Sequence, residues 1–326
     1  MLFIDHTFEN NKHAQAAHLK FWRCRITKKT TGVRCKNEEC EVCPKTNIHY
    51  QSNRSKHFDA LVAFLMFDNR IETIIKGKND ALLPILEALV KSVGDPSNLP
   101  DLKADLKAIF DYNWFIGLEP DEWDYSAYSL AENLDRRSCT YCNRTYTTTK
   151  RSKSNGKLMR PQFDHWLPKS EYPLFAISFY NLIPSCGTCN SGAKGSRVFD
   201  PDFYIHPYVN DCIDDLRFTY EYDRKIDRFN ITVISKDKNI QRTLDDLQIA
   251  EMYNAHHSEL NDLLMIKQAY SEQYIQKMTQ FFPETGFSEE EIFRMLFGTE
   301  IHSNQFHKRP MSKFKHDILK ELGIIT

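Results

Sequence analysis

The sequence lacks a long apolar run, a large net charge, internal repeats and low-complexity tracts. No apolar stretch in the 326 residues approaches the roughly 20 residues that a membrane helix needs, and the first residues, MLFIDHTFENNKHAQ, lack the charged-then-apolar order of a secretion signal. We therefore expect a cytoplasmic protein that does not associate with a membrane. The formal charge of -1 and the pI near 6.9 argue against a protein that coats nucleic acid by bulk charge, although they are compatible with a local basic surface.

The composition is that of an ordinary globular protein. Apolar residues make up 41% of the chain and charged residues 27%, so we expect little disorder, and the length fits one large domain or several smaller ones. The nine cysteines stand partly in pairs. In a reducing cytoplasm, paired cysteines are metal ligands more often than they are disulfides.

Apolar periodicity predicts helices in the N-terminal part of the chain, before residue 138. Residues 55–77 and 82–94 place apolar side chains three and four residues apart, and Gly77 and Gly94 follow as helix stops. Residues 95–100, DPSNLP, are a predicted loop because of their Pro and Asn content.

The C-terminal part combines a predicted hairpin with predicted helices. Residues 216–223 and 229–237 alternate apolar and polar side chains around the turn RKID, which predicts a β-hairpin. The helical period returns over residues 244–282, as one long run or as two helices. Ser288 then precedes an acidic first turn and is placed to cap a further helix.

The central segment differs in composition from the parts on either side. It is rich in cysteine pairs, Gly, Pro and Asn and has few periodic runs. We therefore expect an α+β protein that is mainly α, with a compact metal-organised module inserted between helical regions. The predicted divisions are a mostly helical region at 1–137, the module at 138–212, and a hairpin followed by helices at 213–326.

Four cysteines of the module form two C-x2-C knuckles. Cys139 and Cys142 are the first pair, and Cys186 and Cys189 are the second. Four thiolates complete a tetrahedral zinc site and leave no position open for a substrate, so we predict a structural Zn2+ ion. Such an ion contributes on the order of 10 kcal/mol to folding, enough to shape a segment with few core residues. The alternative is a set of free thiols.

A second group of cysteines lies near the start of the chain. Only one pair in it has knuckle spacing, and His49 or His18 can replace one ligand, so the alternatives are a second zinc site and a set of free thiols in a loop. No acidic residue occurs between Asn11 and Cys35, and a basic loop of this kind suits either nucleic acid or a docked protein. The four cysteines are Cys24, Cys35, Cys40 and Cys43, and the basic residues include Lys20, Arg23, Arg25, Lys28, Lys29 and Arg34.

Between and beside the central knuckles lie Asp164, His165, Asn181 and Asn190. Phosphodiester hydrolysis needs a general base for water and a cation that offsets charge on the phosphate and on the departing oxygen. Imidazole suits the first task because its pKa is near neutrality, and a carboxylate with an amide oxygen suits a hard cation such as Mg2+. Asp164 and His165 are predicted to end a strand, where adjacent side chains point to opposite faces, so a local twist or bulge is needed to bring both to one site.

These residues carry a resemblance to the HNH endonucleases, the zinc-containing branch of the His-Me (ββα-metal) nucleases. The resemblance rests on the first knuckle, on DHWLPKS from Asp164 and on NLIPSCGTCNSGAKG from Asn181, and it is confined to residues 138–212. It implies two strands and a helix around one Mg2+ or Mn2+ ion. The two-glycine step that often follows the histidine motif in this family is replaced here by KSEYPLFAI.

The resemblance also implies roles for individual residues. His165 corresponds to the general base, and Asp164 and Asn190 correspond to the ligands of the catalytic cation. Asn181 corresponds to the residue that ties the loop orienting the base. The structural alternatives are a histidine bonded in a polar loop, an ion-paired or capping aspartate, and a turn-stabilising asparagine. Basic residues that face phosphate are common in the family at the positions of Lys169 and Lys194.

Local charge also favours a polyanionic substrate. A segment rich in Lys and Arg is typical of a loop that tracks phosphates, although a solvated hairpin tip has the same composition. His206 can be a further ligand or phosphate contact, but a packed histidine beside Pro207 is the simpler interpretation. Between Asn143 and Ser170 the only acid is Asp164, and the basic residues are Arg144, Lys150, Arg151, Lys153, Lys157, Arg160 and Lys169.

We therefore expect a metal-dependent HNH endonuclease that hydrolyses nucleic acid, with DNA favoured over RNA. The first alternative is a zinc-stabilised module that binds nucleic acid without cutting it. The second is a nuclease that is active only with a partner. The module resembles HNH nucleases of anti-phage operons, in which a partner ATPase is frequent, so that resemblance implies a defence effector with an ATPase or another regulatory partner.

Overall fold

A computed structural model describes the chain except residues 6, 50–52, 155, 226, 270–285 and 326. The fold is α+β and mainly helical, with two small antiparallel sheets, as the sequence predicts. The α-helices are α1 Glu9–Thr31, α2 Val42–Lys45, α3 Phe58–Met66, α4 Arg70–Lys76, α5 Asn79–Ser92, α6 Pro100–Ile109, α7 Tyr112–Gly117, α8 Ala127–Leu134, α9 Lys238–Asp246, α10 Ile249–Tyr253, α11 His257–Ala269, α12 Glu289–Phe297 and α13 Ser312–Glu321. The strands are β1 Gln162–His165, β2 Leu182–Ser185, β3 Leu216–Asp223 and β4 Arg228–Ser235.

Helix α1 is the central helix of the N-terminal region. It buries Phe21, Trp22 and Ile26 and packs against α4 and α8. These side chains lie one and four residues apart along the helix, which places them on one side facing the core. Trp114 stacks on Phe21, Tyr125 packs against it at a tilted angle, and both extend the aromatic cluster.

The predicted helix over 55–77 is divided in two by the backbone between α3 and α4. Asp68 and Asn69 adopt left-handed φ angles of 41° and 57°, which a continuous right-handed helix cannot include. Gly77 follows α4 as predicted. The segment predicted over 82–94 is helical as far as Ser92, within α5.

The central module contains a two-stranded sheet and a short helical segment. Strands β1 and β2 pair antiparallel, with Phe163 opposite Pro184 and His165 opposite Leu182. Two 3-10 turns, Pro173–Phe175 and Phe179–Asn181, lie in the connection between the strands. A π-helical segment, Thr188–Lys194, follows β2 and packs against β1.

The predicted C-terminal hairpin is confirmed. Strands β3 and β4 pair antiparallel, with Leu216 opposite Ser235 and Asp223 opposite Arg228. The predicted helix starting at Ser288 is also confirmed: Ser288 Oγ accepts a hydrogen bond from the backbone N–H of Glu291, and α12 ends before a glycine with a φ of 66°.

The predicted helical run over 244–282 is interrupted where the structure describes it. Gln248 has a left-handed φ of 54° between α9 and α10, and residues 254–256 separate α10 from α11. Residues 270–282 of this prediction lie outside the described residues.

One apolar core extends through all three predicted divisions of the chain. It contains Trp22 and Phe115 from the first, Phe175 and Tyr208 from the module, and Phe314 from the last. The module is therefore enclosed by the flanking helices. The boundaries at 137/138 and 212/213 stay predictions.

Among the described residues, no helix is both long enough and apolar enough to span a bilayer.

Candidate functional site

The central cysteine cluster is a buried set of four thiols. The Sγ atoms of the four predicted ligands, Cys139, Cys142, Cys186 and Cys189, lie within 4.8 Å of one another, and all four residues are buried. Zn–S bonds of about 2.3 Å put tetrahedral sulfur atoms about 3.8 Å apart. The Sγ atoms of Cys142 and Cys186 are 4.0 Å apart, which fits this arrangement.

Backbone amides also point at the sulfur atoms of this cluster. The N–H of Cys186 donates to Cys139 Sγ at 3.2 Å, and the N–H of Arg144 donates to Cys142 Sγ at 3.4 Å. Donors aimed at sulfur stabilise thiolate, the form that binds metal. Donor type, spacing and surroundings thus fit a structural zinc ion.

The N-terminal cysteines form a second cluster of the same kind. Their four Sγ atoms also lie within 4.8 Å of one another. Cys24 comes from α1 and Cys43 from α2, with their Sγ atoms 3.0 Å apart. Cys35 and Cys40 come from the loop between these helices. Cys43 alone is buried, so this cluster lies at the surface.

Neither histidine considered as a substitute ligand belongs to this cluster. His49 Nε2 lies 2.9 Å from Asp105 Oδ1. His18 is buried, with Nδ1 2.9 Å from the hydroxyl of Tyr125 and Nε2 2.7 Å from the carbonyl of Ile177. The four cysteines supply the complete donor set, which fits a second zinc ion.

Asp164 lies on β1 inside the module and is 3% exposed. The hydroxyl of Tyr141, a residue within the first knuckle, donates to Asp164 Oδ2 at 2.6 Å. The ammonium of Lys194 lies 3.2 Å from Oδ2 and 3.3 Å from Oδ1. Burial raises the pKa of Asp164, and the charge of Lys194 opposes that shift. The carboxylate therefore already faces a positive charge.

His165, the next residue, is 8% exposed and has different neighbours. Its Nε2 is 2.9 Å from the carbonyl oxygen of Ala176, and its ring meets that of Tyr112 edge-on at 4.4 Å between centroids. A carbonyl only accepts, so Nε2 carries the proton and Nδ1 keeps its lone pair. Burial lowers the pKa of His165 to about 3, so the ring is neutral at pH 7.

The two adjacent side chains therefore point to different sides of β1. Asp164 faces Tyr141 and Lys194, whereas His165 faces Tyr112 and Ala176. Strand pairing stays regular through this point, and the structure shows no bulge in β1 that brings both side chains together. The ammonium of Lys194 contacts both residues. It lies beside the carboxylate of Asp164 and donates to the backbone carbonyl of His165 at 2.8 Å.

Asn181 ties together the loop that follows His165. Its Nδ2 donates to the carbonyls of Leu167 and Phe175 at 3.1 and 2.9 Å, and its Oδ1 accepts from the N–H of Leu167 at 2.6 Å. The residue is fully buried. The side chain of Asn181 thus fixes the loop at Leu167 and at Phe175. Phe175 precedes Ala176, whose carbonyl accepts the hydrogen bond from the His165 ring.

Asn190 lies on the π-helical segment, above β1. Its Nδ2 donates to Gln162 Oε1 at 2.9 Å, which leaves Oδ1 as its remaining ligand atom. Gln162 and Asp164 are two residues apart on β1 and share a face of the sheet. Asn190 and Lys194, four residues apart on the helical segment, contact this same face.

The basic residues predicted to contact nucleic acid have protein partners. Lys169 donates to Asn113 Oδ1 at 2.7 Å and lies over the ring of Tyr112, and Arg144 lies 3.0 Å from the ring nitrogen of His256. Lys194 is 1% exposed, so its ammonium faces Asp164 and not the surface. The carboxylate of Asp164 compensates the charge of this buried ammonium, which explains its inward position.

Two further basic residues of the same segment pair with acids of the N-terminal region, one on α8 and one in the loop after α7. Arg151 forms an ion pair with Glu132 at 2.7 Å, and Lys157 forms one with Glu119 at 2.5 Å. These contacts bind the segment to the N-terminal region. His206 packs against Trp166, with ring centroids 4.7 Å apart, and belongs to neither cysteine cluster.

Three contact residues of the site were not found by sequence reasoning. Tyr112 comes from α7, far from the module in sequence, and no local pattern connects it to His165. Tyr141 lies between two cysteines of a knuckle, and Gln162 precedes Asp164 by two positions on the strand. Strand alternation alone was enough to place Gln162 on the face of Asp164.

Comparison with known proteins finds similarity over parts of the chain. Protein ea31 of Escherichia phage lambda is 48% identical over 50 residues, which is 14% of this chain and 17% of that protein. Septu protein PtuB of Bacillus thuringiensis is 29% identical over 119 residues, which is 36% of this chain and 39% of that protein. The matched segments thus span less than half of either relative. No protein-family model and no solved structure matches the chain.

Proposed function

We propose that the protein is a metal-dependent endonuclease of the HNH type that hydrolyses phosphodiester bonds, with DNA as the favoured substrate. The observation that carries this proposal is the state of His165. A hydrogen bond to Ala176 fixes the proton on Nε2, and Nδ1 has no partner among the described residues. A neutral imidazole with one free lone pair has the protonation state that a general base needs, and opening of the site to water relieves the burial that lowers the pKa of His165.

The catalytic cation belongs on the other face of β1. Asp164 Oδ1 and Oδ2 and the Oδ1 atom of Asn190 are hard oxygen donors, and Asp164 already interacts with a positive charge. This donor set fits Mg2+ or Mn2+. The chemistry that such an ion supplies is positive charge against the phosphate and the departing 3′ oxygen.

In the closed structure Asp164 and His165 face different sides of β1, so we propose that opening of the site brings both to one phosphate. The residues of the chain then act as follows. His165 Nδ1 accepts a proton from water as the water oxygen forms a bond to phosphorus. The bond between phosphorus and the 3′ oxygen breaks, and that oxygen takes a proton from solvent. The products are a 5′-phosphate and a 3′-hydroxyl. Asn181 keeps the imidazole in place by fixing the loop that carries Ala176.

We further propose that the nuclease acts in phage defence and is switched on by a partner, such as an ATPase. The similarity to Septu protein PtuB supports the defence role. The low exposure of Asp164 and His165, 3% and 8%, supports a low basal activity that a partner raises, because a polynucleotide reaches these groups only when the site opens.

A cleavage assay tests the proposal. Supercoiled plasmid and total tRNA are incubated with the protein and Mg2+ or Mn2+, with wild type compared with His165→Ala. His302→Ala is the matched control, because His302 is exposed and far from the module in sequence. We expect cleavage that needs the cation, persists in the control and is lost in His165→Ala by about 100-fold or more.

Equal cleavage by His165→Ala and wild type contradicts the assigned role. If the wild type binds either substrate tightly but cuts neither with any cation, the zinc-stabilised binding module becomes the better description. Zinc content and circular dichroism of each variant show that a loss of cleavage is not a loss of fold.

A further inference from the structure

The ammonium of Lys194 is enclosed by oxygen atoms. It lies 3.2 and 3.3 Å from the two carboxylate oxygens of Asp164 and 2.8 Å from the backbone carbonyl of His165. The ring of Phe199 covers another side, 5.3 Å from the nitrogen. The lysine side chain is 0% exposed.

A lysine is rarely buried to this extent unless its charge is compensated. The three oxygen atoms around Nζ provide that compensation, and two of them belong to the side chain proposed to hold the catalytic cation. All three oxygen atoms lie at hydrogen-bonding distances from the Lys194 nitrogen. Mg2+ requires oxygen ligands at the shorter distance of about 2.0–2.1 Å. An ammonium and a divalent ion against the same carboxylate repel each other strongly in so dry a site.

We propose that Lys194 is an internal cation that occupies the cation position at Asp164, so that a divalent ion binds there only when the lysine is displaced. This inference rests on the proposed function and deepens it, since it names the residue that keeps the site unloaded. Lys194 is the last residue of the helical segment and precedes Gly195, whose φ is 55°. Because Lys194 lies outside both strands, its side chain can leave without breaking a backbone hydrogen bond between β1 and β2.

The arrangement connects the metal site with the closure of the active site. In the described structure the same ammonium holds the Asp164 carboxylate and the His165 backbone, and both residues are nearly inaccessible. Displacement of Lys194 releases both of these contacts at once, while the hydrogen bond from Tyr141 keeps Asp164 in place. A partner or substrate that withdraws this side chain admits the cation.

The test compares the variant Lys194→Met with Lys313→Met as a matched control. Lys313 forms another buried pair, with Asp317 at 2.8 Å, and the two side chains are 7% and 6% exposed. Each variant leaves a buried carboxylate without its counter-charge, so we expect both to unfold at a lower temperature than wild type without added metal.

The readouts are Mn2+ binding, followed by electron paramagnetic resonance, and the unfolding temperature with and without Mn2+. We expect Lys194→Met to bind Mn2+ on the order of 100-fold more tightly than wild type and to regain stability when Mn2+ is added. Lys313→Met should show neither change. Adding Asp164→Asn to Lys194→Met should abolish the tight binding, because the ligand is gone.

A second variant keeps the test decisive if Lys194→Met does not fold. Lys194→Gln retains a hydrogen-bond donor toward Asp164 but has no charge, and it should also bind Mn2+ more tightly than wild type. Unchanged or weaker Mn2+ binding in the folded variant overturns the inference. The cleavage assay with His165→Ala is independent of this result, so the inference can fail while the nuclease function stands, and failure of both assays rejects both.

Discussion

The two cysteine clusters have the same donor set but different surroundings. The central cluster is buried, and its backbone is tied to the rest of the fold: the hydroxyl of Tyr253 donates to the carbonyl of Cys142 at 2.8 Å, and Asn143 donates to Ser138 and to the carbonyls of Phe306 and Arg309. The N-terminal cluster lies at the surface, with ligands from α1, from α2 and from the loop between them.

This difference determines what a metal ion contributes at each position. In the module, Cys186 follows β2 directly, and Cys189 lies on the helical segment that carries Asn190 and Lys194. Metal binding there connects the sheet with the helical segment. Near the N-terminus, α1 is already fixed by the burial of Trp22, so metal binding there positions only the short helix α2 and the loop that precedes it.

Replacing a ligand of the central cluster should have the largest effect. Cys186→Ser removes one thiolate from a site worth about 10 kcal/mol, comparable with the roughly 5–15 kcal/mol of an entire domain. We expect the variant to lose the central zinc and its near-ultraviolet circular dichroism. Cys212→Ser is the control, because Cys212 is buried but belongs to neither cluster. A Cys186→Ser protein that keeps its zinc and its unfolding temperature disproves the structural role.

Replacing a ligand of the N-terminal cluster should have a smaller effect. Cys40→Ser should lower the zinc content by about one ion per chain while the fold remains, with a fall in unfolding temperature of only roughly 2–4 °C. Metal analysis by mass spectrometry and thermal denaturation measure the two quantities. Global unfolding of this variant means that the two clusters are equivalent, contrary to the comparison drawn above.

The pH dependence that His18 alone contributes should be the smallest effect, and it tests how α1 is held without metal. Burial lowers the pKa of His18 to about 4 from 6.5, so the unfolded chain takes up a proton first as pH falls. The contribution of His18 to the free energy of unfolding is therefore at its maximum above pH 6.5, and it falls progressively toward pH 4. At pH 5.5 we expect a loss of about 1 kcal/mol relative to pH 7.5 from this residue.

Urea unfolding of wild type and His18→Gln at the two pH values measures this loss. The glutamine variant should show a pH dependence that is smaller by about 1 kcal/mol, because it cannot be protonated. The exposed His302→Gln should keep the pH dependence of wild type. If His18→Gln does so too, the burial of His18 against Ile177 does not couple α1 to the module in the way the structure indicates.

Much of the fold could be predicted because the relevant signals are local. Alternation over residues 216–223 specifies a strand, Ser288 with Glu291 specifies a helix start, and pairs of cysteines three positions apart specify a knuckle. The division of the helix at Asp68 and Asn69 could not be predicted, since the apolar period continues through it and tertiary packing decides where the chain turns.

The candidate site shows the same contrast between what local sequence signals predict and what tertiary packing decides. Residue types and spacing by themselves identified the four thiols as a metal site, and together with the family resemblance they selected His165, Asp164 and the two asparagines as candidates for the proposed chemistry. Only the tertiary structure decided that Tyr112 packs on His165 and that Lys194 turns inward to Asp164 and not outward to phosphate. The physical reason is burial, since the direction of a long charged side chain depends on which distant elements enclose it and which charges they leave to be neutralised.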